Sequence, residues 1–160
     1  MRRLTAAMVG ALCILAGQTG LASADTHDQR WLVLTRPGEP THVVATGTVT
    51  ASGTVIDVLT LNPDGTFDNF ATQVFPDGNL FYHGAGTFVF TLDPRTCHGN
   101  GDVVGPFQIT GGTGAYEGAS GEGVALISLR LYFDKTATGC SQVPARVYGV
   151  AHATGTLTLP

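Results

Sequence analysis

The clearest pattern in the chain is an alternation of apolar and polar side chains near its C-terminus. In the stretch VALISLRLYF, residues 124–133, every odd-numbered position is apolar, whereas Ser128, Arg130 and Tyr132 occupy even-numbered positions. The stretch 145–159 continues the alternation in the same phase. A period of two is typical of β-strands that bury one face. The pattern therefore predicts long strands in an antiparallel sheet.

The rest of the chain consists of short runs rich in Val, Thr, Phe and Tyr, separated by Gly and Pro-Asp-Gly, and these runs predict further strands. Two Pro-Asp-Gly turns, at Asn62–Gly65 and Phe75–Gly78, favour tight hairpins, because Pro presets φ and Gly accepts a positive φ. Together the patterns predict about eight strands: Trp31–Thr35, Val43–Ala51, Val55–Leu61, Thr66–Phe75, Leu80–His83 continuing through Gly86–Leu92, Val103–Thr110, Gly121–Phe133 and Ala145–Leu159.

These hairpins predict the topology. Short turns pair strands that are neighbours in sequence, which produces a meander rather than a Greek key. Long strands with one apolar face commonly close into a barrel, since closure removes the exposed sheet edges. We therefore predict an all-β protein: a single antiparallel eight-stranded β-barrel with mostly meander connectivity.

The first 24 residues have the composition of a secretory signal peptide. Arg2 and Arg3 precede an apolar stretch that ends near Gly17, and Ala22-Ser23-Ala24 forms a small-residue cleavage pattern. The apolar stretch is too short for a membrane span. We therefore expect a secreted, extracellular protein.

This prediction divides the chain into three parts. Residues 1–24 are the cleaved signal peptide, 25–42 are an N-terminal segment that contains the first strand, and 43–160 are the β-barrel domain. The formal net charge of the whole chain is −4, and loss of two arginines makes the remainder more acidic. An acidic surface excludes nucleic acid and anionic lipid as expected partners. No later segment is long and apolar enough to span a bilayer.

Cleavage would remove Cys13 and leave Cys97 and Cys140. In an oxidising exterior, two remaining cysteines most simply form one disulfide. A redox pair or a pair of metal ligands is the alternative, but the close spacing of those sites is absent. Both cysteines lie in polar, turn-rich stretches, so the bond is expected to tie two long loops together.

The segment ITGGTGAYEGASGEG, residues 109–123, contains glycines in an arrangement close to three catalytic or binding motifs. It misses the spacing of the dinucleotide fingerprint and of the nucleophile elbow by one residue, and it lacks the Gly-Lys of a P-loop. A β pattern follows it, whereas phosphate-binding loops precede a helix. We therefore interpret it as a structural corner of the barrel with an aromatic anchor, formed by Gly111, Gly112, Gly114, Tyr116, Gly118 and Gly121.

The same segment also suggests a family. The pattern F-x-I-T-G-G-T-G-x-Y-x-G-A-x-G-x-G, residues 107–123, resembles the allene oxide cyclase and dirigent-like β-barrel superfamily, especially its bacterial secreted members. The likeness covers about residues 43–159. The resemblance implies an eight-stranded antiparallel, calycin-like barrel. Plant members of this group are often trimers that act on a hydrophobic small molecule in the barrel mouth, so the resemblance also implies a homo-oligomer and a small hydrophobic ligand. The catalytic residues of the plant enzymes have no matching motif here, so the resemblance carries no catalytic residue.

Four polar residues within otherwise apolar or β-branched strands are candidate ligand-binding residues: Asp57, Glu122, Arg130 and Tyr148. In a wide barrel they would point inward and orient a ligand, and otherwise they face water. Asp57 is the strongest candidate because its phase-mates Val55 and Leu59 are apolar. If Asp57 is buried it needs a partner, and Arg130 is the first cation to consider.

Other polar and aromatic residues give weaker patterns. The five histidines are scattered, and the loop with Asp93, Asn100 and Asp102 lacks a calcium-binding repeat, so we predict neither metal nor cofactor. The aromatic side chains are expected mainly to pack the core, with stacking on a ligand as the alternative: Phe67, Phe70, Tyr82, Phe88, Phe90 and Phe107.

Two functional classes fit these observations. The first is a secreted barrel that binds a small hydrophobic ligand or serves as an extracellular scaffold. The alternative is an isomerase or cyclase that acts on such a molecule in the barrel mouth. An enzyme needs an oriented polar group inside a cavity, a binding protein needs only the cavity, and a scaffold with a filled barrel needs neither.

Overall fold

A computed structural model describes residues 26–62 and 64–160. The predicted signal peptide, its cleavage site and Cys13 lie outside the described residues. Besides one short 3-10 helix at Gly114–Tyr116, the regular structure consists of eight strands. They are β1 (Thr26–Thr35), β2 (Thr41–Gly47), β3 (Ala51–Leu61), β4 (Thr66–Phe75), β5 (Gly78–Asp93), β6 (His98–Gly112), β7 (Ser120–Thr136) and β8 (Gly139–Thr158).

The eight strands form one closed antiparallel barrel in which every strand pairs with its neighbour in sequence. Closure is made by β1, which pairs with β2 on one side and with β8 on the other. Trp31, for example, lies opposite Ala45 of β2 and Ala153 of β8. The predicted all-β fold, the eight strands and the meander connectivity are confirmed.

The predicted strand Val43–Ala51 is wrong, because the chain turns within it. Strand β2 ends at Gly47 and β3 begins at Ala51. Gly47 has φ +128°, a conformation that glycine tolerates best. The Val49 N–H donates to Gln29 Oε1 at 2.8 Å, and Gln29 Nε2 donates to the Val49 carbonyl at 2.9 Å. A side chain twenty positions earlier thus holds this turn, which local sequence does not reveal.

The two long loops expected around Cys97 and Cys140 are instead extensions of strands. Strands β5 to β8 have 15–20 residues, whereas β1 to β4 have 7–11. The inward positions Gly99 and Gly101 carry no apolar side chain because Phe90 and Phe88 fill that space. Because these inward positions are glycines, the alternation of apolar and polar side chains is not visible in this part of the sequence. The tall strands raise one side of the barrel wall above the other.

A disulfide joins Cys97 to Cys140, with an S–S distance of 2.01 Å and Cα atoms 5.5 Å apart. Cys97 ends the tight turn between β5 and β6, where its N–H donates to the Asp93 carbonyl at 2.8 Å. Cys140 lies near the start of β8. The predicted cysteine pairing is confirmed, and it connects the two tallest hairpins of the barrel.

The hydrophobic core occupies one end of the barrel, here called the closed end. This end contains the start of β1, the end of β8 and three connections: β2–β3, β4–β5 and β6–β7. Trp31 meets Tyr82 and Phe107 edge to face, with ring centroids 5.7 and 5.4 Å apart. The buried core residues are Trp31, Val43, Ala45, Val49, Phe75, Leu80, Tyr82, Phe107, Ile109, Tyr116, Ala119 and Leu157. The other four connections form the opposite end, here called the open end.

Candidate functional site

The barrel interior contains a cavity of about 770 Å³. It extends from the core at the closed end to the rim of the tall hairpins, where Cys140 and Gln142 contribute to its lining. The inward side chains Leu59, Phe90 and Leu92 are exposed there. The exposure of these inward apolar side chains indicates that the cavity opens at the open end.

The cavity wall is mainly apolar because each strand directs alternate side chains inward. The small inward side chains of Ala71, Ala125, Ala151 and Ala153 occupy little of the interior. The apolar lining comprises Val33, Val55, Leu59, Phe67, Ala71, Phe88, Phe90, Leu92, Val103, Phe107, Ala125, Ile127, Leu129, Leu131, Phe133, Val147, Ala151 and Ala153. This surface suits an apolar molecule.

Four polar residues also line the cavity: Trp31 and Tyr82 belong to the core, Gln73 is buried, and Asn69 lies on β4 opposite Leu59. In each, one buried polar atom has no hydrogen-bond partner in the protein: Trp31 Nε1, Asn69 Oδ1, Gln73 Oε1 and the Tyr82 hydroxyl oxygen. Burial also raises the pKa of Tyr82 well above its usual value, so its hydroxyl keeps its proton. We call these four residues the polar floor.

Asp57 also lines the cavity, on β3 between Val55 and Leu59. It lies opposite Ala71 of β4, which is another lining residue. Asp57 is exposed, so it occupies the part of the cavity that solvent reaches. Among the described lining residues Asp57 is the only carboxylate, and none is Lys, Arg or His.

The other three candidate residues, Glu122, Arg130 and Tyr148, lie on the outer face of the barrel. They occupy even-numbered positions of β7 and β8 and are exposed, whereas the odd-numbered positions line the cavity. Arg130 and Tyr148 lie opposite each other beside an outer groove of about 610 Å³. The structure therefore does not bring Arg130 to Asp57, since they lie on opposite faces of the barrel wall.

The glycine segment forms the connection between β6 and β7 at the closed end. Gly111, Gly114 and Gly118 have φ values of +154°, +62° and +78°. The Tyr116 ring is buried and meets Phe75 edge to face at 5.9 Å. A Cβ at Gly112 would overlap the Tyr116 carbonyl, and one at Gly121 would overlap the Thr156 carbonyl. This geometry closes a barrel corner and leaves no room for a ligand there.

The described part of the chain contains no group of three or more His, Cys, Asp or Glu residues that could hold a metal ion. Asp93, Asn100 and Asp102, considered as a loop, lie on β5 and β6. The Asp93 carboxylate accepts hydrogen bonds from Arg95 N and Thr96 Oγ1 at 2.9 and 3.0 Å, which lowers its pKa.

One of the aromatic residues expected in the core lies outside it. His83 stacks on the exposed Phe70 ring, so Phe70 is not a core residue.

Sequence reasoning missed Asn69 and Gln73. Both lie in the stretch TFDNFATQVF of β4, where they share the inward phase of Phe67, Ala71 and Phe75. The sequence signal that could have identified them is an amide side chain at a position where the alternation otherwise places an inward apolar residue. Trp31 and Tyr82 gave no such signal, because an aromatic ring in an apolar phase is indistinguishable from ordinary core packing.

In comparisons with known proteins, no family model, no curated protein and no solved structure matches this chain. Within residues 26–62 and 64–160, no helix is long and apolar enough to cross a membrane. The cavity and its lining are therefore the basis for assigning a function.

Proposed function

We propose that this chain is a secreted β-barrel protein of the allene oxide cyclase and dirigent-like type that binds a small hydrophobic molecule inside the barrel. The observation that carries the proposal is the cavity of about 770 Å³, which opens at one end and has an apolar wall. Ligand sites in proteins typically measure about 300–1,000 Å³ and combine an apolar lining with a few polar groups. The interior matches this description in size and in chemistry.

The small inward residues favour a binding protein over a filled scaffold. The interior of an eight-stranded barrel is just wide enough to be filled by its own side chains or to hold one small ligand. Here Ala125, Ala151 and Ala153 face inward on β7 and β8. A scaffold with a filled barrel would carry larger side chains at these positions.

A matched pair of substitutions tests the proposal. Ala125→Phe places a ring in the cavity, whereas Val124→Phe places the same ring on the exposed outer face of the same strand. We expect the neutral dye Nile red to bind the wild type and Val124→Phe with one saturable site. Ala125→Phe should weaken this binding by about tenfold or more, because the added ring occupies the site.

Fluorescence titration at equal protein concentration measures the effect, and circular dichroism verifies that both variants are folded. Equal weakening in both variants would contradict binding inside the barrel, as would the absence of saturable binding in the wild type.

A second candidate function is an isomerase or cyclase, and the position of Asp57 favours it. A carboxylate inside an otherwise apolar cavity can take up or deliver a proton in a rearrangement that needs no co-reactant. The test is incubation of an apolar small-molecule extract with the wild type and with Asp57→Asn. A product of unchanged mass and altered retention time that forms with the wild type alone supports catalysis. Nile red binding by Asp57→Asn serves as the control for folding.

By the same resemblance we propose a homo-oligomer. Apolar side chains form one row across the outer face, in which Val104 lies opposite Leu126, and Leu32 lies opposite Val44, with His152 between the two pairs. Val104, Leu126 and Val44 are exposed in the single chain. Size-exclusion chromatography with light scattering measures the mass, and a strictly monomeric species would contradict the proposal.

A further inference from the structure

We infer that the cavity holds its ligand with an uncharged hydroxyl or carbonyl group directed toward the polar floor of Trp31, Asn69, Gln73 and Tyr82. The apolar remainder of the ligand then extends toward the open end. The inference rests on the proposed function, because it requires that the cavity bind a molecule. It adds the chemical class and the orientation of that molecule.

The burial of the polar floor is the first observation. Trp31, Gln73 and Tyr82 are 2%, 6% and 9% exposed, and each has a polar atom without a hydrogen-bond partner in the protein. Asn69 Oδ1 is likewise buried and unpaired. A buried polar group without a partner costs stability, and such groups are uncommon in folded proteins. Four of them in the lining of one cavity indicate a shared external partner.

The strand register shows that these residues converge. Asn69, Ala71 and Gln73 share the inward face of β4, and Tyr82 of β5 lies directly opposite Ala71. Tyr82 is therefore flanked on the neighbouring strand by Asn69 on one side and Gln73 on the other. The Trp31 ring meets the Tyr82 ring at 5.7 Å. The four residues are thus neighbours in the cavity wall.

Their chemistry selects the ligand's polar group. Trp31 and Tyr82 offer an N–H and an O–H donor, whereas Asn69 Oδ1 and Gln73 Oε1 are acceptors. A hydroxyl group both donates and accepts, and a carbonyl accepts from the two donors. A carboxylate would find no cation, because no described lining residue is Lys, Arg or His, and Asp57 would repel it along the wall. Because burial raises its pKa, Tyr82 remains a neutral donor.

Gln29 shows what a buried amide does when its role is structural. It is 1% exposed, and both ends of its amide bond the backbone of Val49, at 2.8 and 2.9 Å. The Gln73 carbonyl oxygen has no such partner. Neighbouring atoms cover all four unpaired atoms, so contact with a ligand requires the side chains to move. The amides can rotate about their soft last torsion, whereas the Trp31 and Tyr82 rings must shift.

The test compares two neutral probes of nearly the same shape, 2-naphthol and 2-methylnaphthalene, which differ by a hydroxyl in place of a methyl group. We expect the wild type to bind 2-naphthol at least about tenfold more tightly, because the hydroxyl pairs with groups that the methyl leaves unpaired. Tyr82→Phe and Gln73→Leu should each reduce this preference severalfold. Both variants should bind 2-methylnaphthalene as tightly as the wild type or more tightly.

Each outcome has a distinct meaning. If both probes bind the wild type equally, the cavity binds apolar molecules but the inferred orientation is wrong. A preference that survives in Tyr82→Phe and in Gln73→Leu would equally overturn the role of the polar floor. If neither probe binds, the proposed function fails and the inference fails with it. Val124→Phe is the control, and its preference should match that of the wild type.

Discussion

The two ends of this barrel use the same alternating strands for different purposes. At the closed end, inward side chains fill the interior, and the buried amide of Gln29 bonds Val49 at both of its ends. Toward the open end the interior holds a cavity, and four polar atoms of its lining residues have no partners in the protein. Alternation of apolar and polar residues with a period of two therefore specifies the barrel wall, whereas the size of the inward side chains decides whether the barrel interior is filled.

The two ends also differ in what makes glycine necessary at their turns. Gly114 at the closed end and Gly65 at the open end both have positive φ, +62° and +83°. A Cβ at Gly114 would overlap the Asp77 carbonyl, whereas a Cβ at Gly65 would have no atom within 4 Å. Close packing constrains the first glycine and backbone conformation alone constrains the second.

The largest expected effect concerns the disulfide that staples the tall hairpins. Replacing both Cys97 and Cys140 by Ala should lower the free energy of unfolding by about 4 kcal/mol, because the bond closes a segment of 43 residues. Urea unfolding measures the loss. Intact-mass measurement of the protein with and without reductant should show a gain of two hydrogens on reduction of the disulfide. Two free thiols before reduction would contradict the account.

The glycine pair sharpens the comparison between the ends. Gly114→Ala should cost about 3 kcal/mol, because it adds both an overlap and a strained φ, whereas Gly65→Ala should cost about 1 kcal/mol from the backbone alone. Thermal unfolding of the two variants measures the difference. Equal costs would show that close packing does not distinguish the closed end.

The two buried glutamines provide the next test. Gln29→Leu should lower the free energy of unfolding by about 2 kcal/mol, because the Val49 N–H and carbonyl lose their partners. Gln73→Leu should leave the stability unchanged or raise it, because it removes an unpaired polar atom. Urea unfolding of both variants decides between these roles. A loss in Gln73→Leu as large as that in Gln29→Leu would make Gln73 structural.

A smaller effect is expected at alkaline pH. Burial raises the pKa of Tyr82, so above the usual tyrosine pKa near 10 the unfolded chain releases a proton that the folded chain keeps. Stability should therefore be fully present below pH 10 and fall above it, by about 1.4 kcal/mol per pH unit from Tyr82. In Tyr82→Phe the free energy of unfolding should fall less steeply with pH, because the contribution of the Tyr82 hydroxyl is absent.

Tyr116 contributes in the same direction, because burial and then the nearby Asp77 charge raise its pKa. Tyr116→Phe is the companion variant for the alkaline measurement. An unfolding free energy of the wild type that stays constant from about pH 9 to about pH 11, around the usual tyrosine pKa, would contradict the burial of the Tyr82 hydroxyl.

Sequence patterns predicted the fold because alternation and turn chemistry are local. The Pro-Asp-Gly turns and the odd-numbered apolar positions of β7 and β8 were sufficient for the strand order and the meander. The turn at Val49 escaped prediction because a distant side chain, Gln29, holds it. The extension of the strands to Gly99 was not predicted, because a glycine has no side chain to indicate which face of the sheet its position occupies.

The candidate site was predictable only in part. Asp57 was chosen because of its apolar phase-mates, and it lines the cavity. Asn69 and Gln73 carried the same kind of signal in β4, but the run of aromatic neighbours masked it. Arg130 was considered as the partner of Asp57, although the alternation in β7 places it on the polar face, opposite the apolar odd-numbered positions. The structure confirms that outward direction.

The most direct test of the central claim uses Trp31, the only tryptophan in the chain, which lies at the base of the cavity. A small apolar quencher such as bromocyclohexane should quench its fluorescence with saturation in the wild type and in Val124→Phe. Quenching should be much weaker in Ala125→Phe, where the added ring fills the cavity. Iodide should have little effect on any of the three proteins, because Trp31 is 2% exposed. If bromocyclohexane quenches no better than iodide, or equally in all three proteins, the barrel does not bind apolar molecules in its interior.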